Sequence, residues 1–174
     1  MDARILAFGD SLTWGTGTTP GNSYPGQLAE RTGLEIINAG VPGETTAQGL
    51  ERLPGVLDEY RPDLVLLCLG GNDMLRRMSR SALAYNLDAM VRLIHEREIP
   101  VVLISVPELS GLSLRSEPLY RELAGRHGLP LEDTIMAEVL GSRSLKSDQI
   151  HPNARGYARI ADALHELLRR AGAL

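Results

Sequence analysis

Two almost entirely apolar runs, each followed by a long amphipathic segment, constrain the fold of this chain more than any other feature. The runs cover positions 64–69 and 101–106 and read Leu-Val-Leu-Leu-Cys-Leu and Val-Val-Leu-Ile-Ser-Val. A strand covered by helices on both faces has this pattern, which is typical of a parallel sheet. We therefore predict an α/β fold with strands at 3–8, 34–39, 63–69 and 100–106, and a short fifth strand near 129–133.

The segments between these strands have the 3.6-residue periodicity of helices. In the segment 79–98 the apolar positions form one stripe, and in 157–168 they do so again. Further helices are predicted at 24–32, at 44–60 with an interruption near Pro54-Gly55, and at 119–127 with Gly128 as the cap. Alternating strands and helices predict a three-layer α/β/α sandwich on a mostly parallel five-stranded sheet.

Length and composition narrow the functional class. A chain of 174 residues is expected to form a single domain, 1–174, and its net charge of −4 argues against a nucleic-acid partner. Cys68 is the only cysteine, so no internal disulfide can form, and we expect it to be buried. No apolar run reaches the ~20 residues of a membrane span.

The start of the chain bears on its location. The first predicted strand begins within a few residues of Met1, which leaves no room for a signal peptide in the sequence as written. The expected location is therefore cytoplasmic, or periplasmic if a signal was removed before numbering. The oligomeric state is left open.

The motif Gly9-Asp10-Ser11-Leu12 follows the first predicted strand directly. It places a serine hydroxyl at the carboxyl edge of the sheet, where open α/β folds bind their ligands. The motif alone is ordinary turn chemistry. Asp148 and His151 make a catalytic role more specific, because a nucleophilic serine needs a base and the base needs a group that orients it.

His151 is the strongest of four candidates for the base. His95, His127 and His165 lie in or at the ends of predicted helices, where surface histidines are common. His151 instead lies in a polar loop, and the proline after it disfavours helical geometry. Asp148, three residues earlier, can reach the imidazole within one turn. The alternative is that this loop only caps the last helix, with Asp and Asn as caps and proline in its first turn.

Two further loops supply candidate donors for an oxyanion. Gly43 follows the second strand and can present its backbone N–H near the start of a helix. Asn72 follows the third strand, in a turn that projects its amide over the sheet edge. Glycine and asparagine are also the commonest residues of strand-to-helix turns, so neither is informative alone.

The four blocks together resemble the SGNH (GDSL) hydrolase family: Gly-Asp-Ser-Leu, a glycine in the second loop, Gly-x-Asn-Asp, and Asp-x-x-His. The resemblance spans 9–153 and implies a flavodoxin-like sheet and ester hydrolysis without metal or cofactor. It also implies that Ser11 is the nucleophile, His151 the general base and Asp148 its orienting carboxylate. Ser11 and Gly43 would donate backbone N–H groups to the oxyanion, and Asn72 its side-chain amide.

Within that family the chain looks most like the small bacterial arylesterases, thioesterases and lysophospholipases. It lacks the Gly-x-Ser-x-Gly elbow of α/β-hydrolases, because Thr13 stands where that motif has its second glycine. The expected substrate is accordingly a small acyl ester or thioester.

The substrate pocket is less well defined by the sequence. The residues that follow Asn72 are expected to form one wall of the pocket. The residues that follow the fourth strand, among them Glu108, Leu109 and 110–113, are expected to form the opposite wall. Trp14 is interpreted either as a substrate contact or as a core residue. Asp10 and Asp73 are expected mainly to form hydrogen bonds within their turns, not to take part in the chemistry. The candidate substrate-binding residues are Asp10, Trp14, Met74, Leu75, Met78, Pro107 and Ile150.

Several alternatives are compatible with the sequence. A carbohydrate O-acetylesterase would use the same triad with a different pocket, and acyl transfer to an alcohol would use the same acyl-enzyme. A flavodoxin-like binding module is suggested by the Gly- and Thr-rich stretch 15–19, which could cradle a phosphate. A metal hydrolase has no support, because no His-Glu-x-x-His motif occurs.

Overall fold

The computed structural model describes residues 3–109 and 114–174. Their five strands form one sheet in which every neighbouring pair is parallel, with the order β2-β1-β3-β4-β5. This confirms the predicted sheet and the flavodoxin-like architecture. The strands are β1 (Arg4–Gly9), β2 (Glu35–Gly40), β3 (Leu64–Cys68), β4 (Val101–Ile104) and β5 (Leu131–Glu132).

Eight α-helices lie within the described residues, together with short 3-10 turns at 20–22 and 143–145. None of these helices is long and apolar enough to cross a bilayer. The helices are α1 (Ser11–Trp14), α2 (Tyr24–Thr32), α3 (Thr46–Tyr60), α4 (Gly71–Leu75), α5 (Arg80–Glu96), α6 (Pro118–His127), α7 (Ile135–Leu140) and α8 (Ala154–Arg170).

The helices form two layers, one on each face of the sheet. A right-handed crossover places α2 on one face, and the crossovers of α3, α5 and α6 on the other, because the strand order reverses after β2. The contacts agree: α2 packs against α8, and α5 packs against both α3 and α6. The three central strands β1, β3 and β4 are almost completely buried, Cys68 included, whereas the edge strands β2 and β5 are partly exposed.

The chain leaves the neighbouring strands β1 and β3 in opposite directions, toward β2 and toward β4. The loops that follow β1 and β3 therefore separate at the carboxyl edge of the sheet. Ligands of open α/β folds bind in the crevice opened at such a reversal. Ser11 follows β1 and Asn72 follows β3, so the topology places both at this crevice.

The expected interruption at Pro54-Gly55 is wrong: α3 runs through both residues without a break. Proline removes one helical hydrogen bond, but Leu53 and Leu57, on either side of the Pro54-Gly55 pair, are both buried in the core and stabilise the continuous helix. The helix also begins two residues later than predicted, because the Thr45 side chain caps it.

Three short helices, α1, α4 and α7, have no counterpart in the prediction. They have four to six residues, too few to show a helical period. Two of them carry site residues: Ser11 begins α1, and Asn72 lies in the first turn of α4 rather than in an open turn.

Candidate active site

The nucleophile motif forms a tight strand-to-helix turn. Asp10 caps α1, and its Oδ1 accepts a hydrogen bond of 3.0 Å from the Leu12 N–H. Gly9 is required in this turn, because a Cβ there would overlap the Thr13 side chain and the Cys68 carbonyl oxygen. Ser11 is therefore the first helical residue, and within the described chain its backbone N–H has no protein acceptor.

Ser11, His151 and Asp148 form a continuous hydrogen-bonded row. The Ser11 Oγ lies 3.0 Å from His151 Nε2, and His151 Nδ1 lies 2.9 Å from Asp148 Oδ2. A carboxylate beside Nδ1 holds the proton on that nitrogen, so Nε2 is free to accept the proton of the serine hydroxyl. The imidazole is mostly buried, with 14% of its side chain exposed, whereas 54% of Asp148 is exposed.

The loop that carries His151 is organised by Asp148. Its Oδ1 accepts 2.8 Å hydrogen bonds from the backbone N–H groups of Ile150 and His151, while both carboxylate oxygens face the imidazole. Burial raises the pKa of Asp148, but the hydrogen bonds from Ile150 and His151 outweigh it and hold the pKa below its ordinary value. Asp148 therefore stays ionised beside the imidazole.

The capping alternative for this loop holds for one residue only. Asn153 caps α8, where its side chain accepts from the Gly156 N–H at 3.0 Å. Pro152 precedes the cap instead of opening the first turn, and Asp148 bonds within its own loop.

The other histidines lie away from Ser11. His127, the last residue of α6, has its Nε2 2.6 Å from Asp88 Oδ1, and His95 packs edge-on against the His127 ring. His165 lies within α8. The described residues contain no group of three His, Cys, Asp or Glu side chains that could hold a metal ion.

The loops after β2 and β3 bring the two other candidate donors to the Ser11 cavity. Gly43 lies in a turn with φ of 78°, and no acceptor in the described part of the chain takes its backbone N–H. The Asn72 amide donates to the Glu44 carbonyl oxygen at 3.0 Å and, over a long 3.4 Å, to Asp10 Oδ2. Arg76, on the solvent side, donates to the Gly43 carbonyl oxygen at 3.2 Å and stabilises the turn.

Two buried aspartates flank these residues. Burial, together with the nearby charges of Glu44 and Asp73, raises the pKa of Asp10 to about 7 against the opposing hydrogen bond from Leu12. Asp73 accepts 2.9 and 2.6 Å hydrogen bonds from the Thr46 backbone and hydroxyl, so it joins α4 to α3 instead of closing its own turn.

A cavity of about 250 Å³ surrounds the Ser11 hydroxyl. Three predicted substrate residues line it: Asp10, Leu75 and Ile150, with Leu109 opposite. Asp10 is only 2% exposed, so it offers little surface to a ligand. Leu12, Pro42 and Gly71 also line this cavity and were missed, because only the tertiary packing turns them toward Ser11.

Met74 and Met78 line a second cavity of about 500 Å³ rather than the cavity at Ser11. Glu108 also lines the second cavity, and the adjacent pairs Met74-Leu75 and Glu108-Leu109 separate the two spaces. The remainder of the expected opposite wall, 110–113, lies outside the described residues.

The structure does not bring Trp14 and Pro107 into the Ser11 cavity. Trp14 is 53% exposed, so it is no core residue, and it lines a separate hollow with Asn38. Pro107 is buried and pairs with Ser116 in an isolated bridge.

The Gly- and Thr-rich stretch 15–19 packs against the His151 loop instead of forming an open cradle. A Cβ on Gly17 would overlap the Ser147 hydroxyl and meet the Pro152 carbonyl oxygen. The Tyr157 hydroxyl donates to the Thr16 carbonyl oxygen at 2.7 Å and joins this stretch to α8. The sequence pattern indicates only the apolar helix position of Tyr157, because the hydrogen bond of its hydroxyl has no sequence signal.

Known proteins are similar to this chain over most of its length. A family model described as the GDSL-like Lipase/Acylhydrolase family matches residues 7–159. The arylesterase of Vibrio mimicus is 32% identical over 169 residues, covering 91% of this chain and 84% of that protein. Thioesterase 1/protease 1/lysophospholipase L1 of Escherichia coli K12 is 30% identical over 165 residues, covering 91% and 79%.

Solved structures agree with the family match. The crystal structure of TesA superimposes with a TM-score of 0.85 at 26% identity, covering 96% of this chain and 98% of TesA. AlinE4, an SGNH-hydrolase family esterase, gives 0.73 at 33% identity, covering 98% and 97%. The binding-module alternative is therefore wrong. The chain belongs to the GDSL-like lipase/acylhydrolase family and is a carboxylic ester hydrolase.

Proposed function

We propose that this chain cleaves acyl esters and thioesters through a covalent acyl-enzyme on Ser11, with His151 as the general base and Asp148 as its orienting carboxylate. The observation that carries the proposal is the row of hydrogen bonds from Ser11 through His151 to Asp148, at 3.0 and 2.9 Å. A serine next to a base that is itself held by a third group is the arrangement that activates a hydroxyl nucleophile.

The reaction divides into acylation and deacylation. Ser11 Oγ bonds to the carbonyl carbon while His151 Nε2 takes the hydroxyl proton, and the carbonyl oxygen becomes an oxyanion. When the intermediate collapses, the bond to the leaving oxygen or sulfur breaks and His151 gives it the proton. Water then attacks the acyl-enzyme by the same route and releases the acid and free Ser11.

Three donors face the developing negative charge: the backbone N–H groups of Ser11 and Gly43 and the Asn72 amide. The two backbone groups have no acceptor within the described chain, so they are free to bind the oxyanion. The Asn72 amide nitrogen lies 3.0 Å from the Glu44 carbonyl oxygen and makes only a long 3.4 Å contact with Asp10 Oδ2. An amide carries two hydrogens, so one is left for the oxyanion when the other is bonded to Glu44.

The size of the Ser11 cavity favours a short acyl group. Its volume of about 250 Å³ lies below the roughly 300–1,000 Å³ of most small-molecule sites, and Pro42, Leu75, Leu109 and Ile150 give it apolar walls. A longer chain would have to pass Met74 into the cavity of about 500 Å³. The small cavity also fits the acetyl group of a carbohydrate O-acetylesterase, which is the second candidate.

Hydrolysis of p-nitrophenyl esters from acetate to laurate, by wild type and by Ser11→Ala, tests the proposal. We expect the variant to lose essentially all activity and the wild type to prefer the shorter esters of the series, in keeping with the small cavity. Equal activity of the two proteins would contradict the Ser11 mechanism. Release of acetate from acetylated glycans, with no activity on longer esters, would select the second candidate.

A further inference from the structure

Arg52, on α3, contacts three segments that surround the Ser11 site. Its Nε and Nη2 donate to the two carboxylate oxygens of Glu44, both at 2.8 Å. Nη2 also donates to the Ala39 carbonyl oxygen near the end of β2, at 2.9 Å. The guanidinium lies 4.1 Å above the ring centre of Phe8, the last apolar residue of β1 before the nucleophile turn.

The Glu44 carboxylate depends on this arginine. Its side chain is only 4% exposed, and a buried carboxylate without a partner is strongly unfavourable. The helix leaves room for it at Gly49, where a Cβ would approach Glu44 Oε1 to 3.1 Å. The side chain of Glu44 is therefore held in one place between α3 and the loop after β2.

The backbone of Glu44 lies between the two oxyanion donors that the loops supply. Gly43 precedes Glu44 directly in the chain. The carbonyl oxygen of Glu44 accepts the 3.0 Å hydrogen bond from the Asn72 amide. A shift of Glu44 would therefore move the Gly43 peptide and the anchor of Asn72 together.

We propose that Arg52 is a positioning residue of the oxyanion hole, acting through Glu44 on both Gly43 and Asn72. This inference rests on the proposed acyl-enzyme mechanism. The positioning needs the planar fork of arginine, because the two parallel bonds to the carboxylate and the stacking on Phe8 fix the guanidinium in orientation as well as in position. Lysine would keep the positive charge and lose the fork.

The test compares Arg52→Lys with a matched control, Arg31→Lys. Arg31 pairs with Asp162 at 2.7 Å between α2 and α8, away from the oxyanion loop, and is exposed to the same extent as Arg52, 26%. For each protein, labelling with a fluorophosphonate counts the active sites, so that kcat refers to folded enzyme. The affinity for butylboronic acid, which forms a tetrahedral adduct with the serine, is measured beside kcat and KM for p-nitrophenyl butyrate.

We expect Arg52→Lys to lower kcat roughly 10-fold at nearly unchanged KM, less than the 10²–10³-fold cost of losing a donor outright. Butylboronic acid should bind more weakly by a similar factor, because the hole acts on the tetrahedral state. Arg31→Lys should keep both values. A wild-type kcat per active site and a wild-type boronate affinity in Arg52→Lys would overturn the proposal.

Glu44→Gln is the second variant. It keeps the volume of the side chain and removes the negative charge that pairs with the Arg52 guanidinium. It should show the same paired loss of kcat and boronate affinity, and a loss of folded enzyme alone would count against the positioning role. Failure of the acyl-enzyme mechanism would have a different signature, namely wild-type hydrolysis that survives Ser11→Ala.

Discussion

The protonation of Asp10 should make the stability of this protein fall as the pH rises from about 4 to about 7. Burial raises the pKa of this carboxyl from 3.8 to about 7 in the folded chain. Between these two values the unfolded chain has released the proton and the folded chain has kept it. Because the folded state then binds more protons, its free energy of unfolding decreases with rising pH.

The magnitude follows from the two pKa values. Each tenfold change in proton affinity is worth about 1.4 kcal/mol, so a rise from 3.8 to about 7 corresponds to about 4 kcal/mol. This contribution is fully present below pH 4 and is lost by the time the pH exceeds 7. Asn has no proton to lose and can still accept from the Leu12 N–H as a helix cap. The free energy of unfolding of Asp10→Asn minus that of wild type should therefore be larger at pH 8 than at pH 4, by up to about 4 kcal/mol.

Urea unfolding of wild type and Asp10→Asn at intervals from pH 4 to pH 9 measures this difference. Asp58→Asn serves as the control, because Asp58 lies on the surface with 71% of its side chain exposed. The difference between Asp10→Asn and wild type should grow from pH 4 to pH 7 and then level off. Parallel stability curves for the two proteins would refute the argument that burial governs Asp10.

Four further results are expected. Asn72→Ala should lower kcat by about 10²–10³, the cost of one oxyanion donor, and an unchanged kcat would remove Asn72 from that role. Asp148→Asn keeps an acceptor for the loop backbone but favours the wrong His151 tautomer, so kcat should fall by roughly 10³–10⁴ with the melting temperature nearly unchanged. In wild type, kcat/KM should fall on acidification because the base must be neutral, and a flat profile down to about pH 4 would contradict a histidine base. Gly17→Ala places a methyl group against Ser147 at φ of 101°, so it should lower kcat by displacing the His151 loop; crystallography of the variant would show whether that loop moves.

The sheet and the contact between Ser11 and His151 could be predicted because each depends on local pattern and on chain order. A buried parallel strand is apolar throughout, and the loops that follow such strands must meet at one edge. His151 differs from the other histidines by the proline after it and by the aspartate three residues before it. These signals lie within a few residues of each other and do not depend on packing.

The walls of the cavity could not be predicted in the same way. Trp14 and Ser11 lie on the same short helix, yet Trp14 points into solvent and Ser11 into the cavity. Met78 follows the Asn72 loop but lines the neighbouring space. Which way each side chain points is decided by how α1 and α4 pack on the sheet, and helices of four and five residues show no period.

The Arg52–Glu44 pair was missed for a related reason. The two residues are eight positions apart in the sequence, and Glu44 lies in a loop, so no helical i,i+4 spacing marks them as partners. Charged residues at such positions are most often solvated. Only the three-dimensional structure shows that Glu44 is buried and that Arg52 reaches it across Phe8.

The proposed mechanism requires that an acyl group is transferred to Ser11. The most direct measurement is the intact mass of the protein, followed by peptide mapping, after p-nitrophenyl butyrate has been mixed with enzyme and quenched in acid within milliseconds. We expect a butyryl group on the peptide that contains Ser11 in wild type, and none in Ser11→Ala. Rapid release of p-nitrophenol with no acyl group on Ser11 would contradict it.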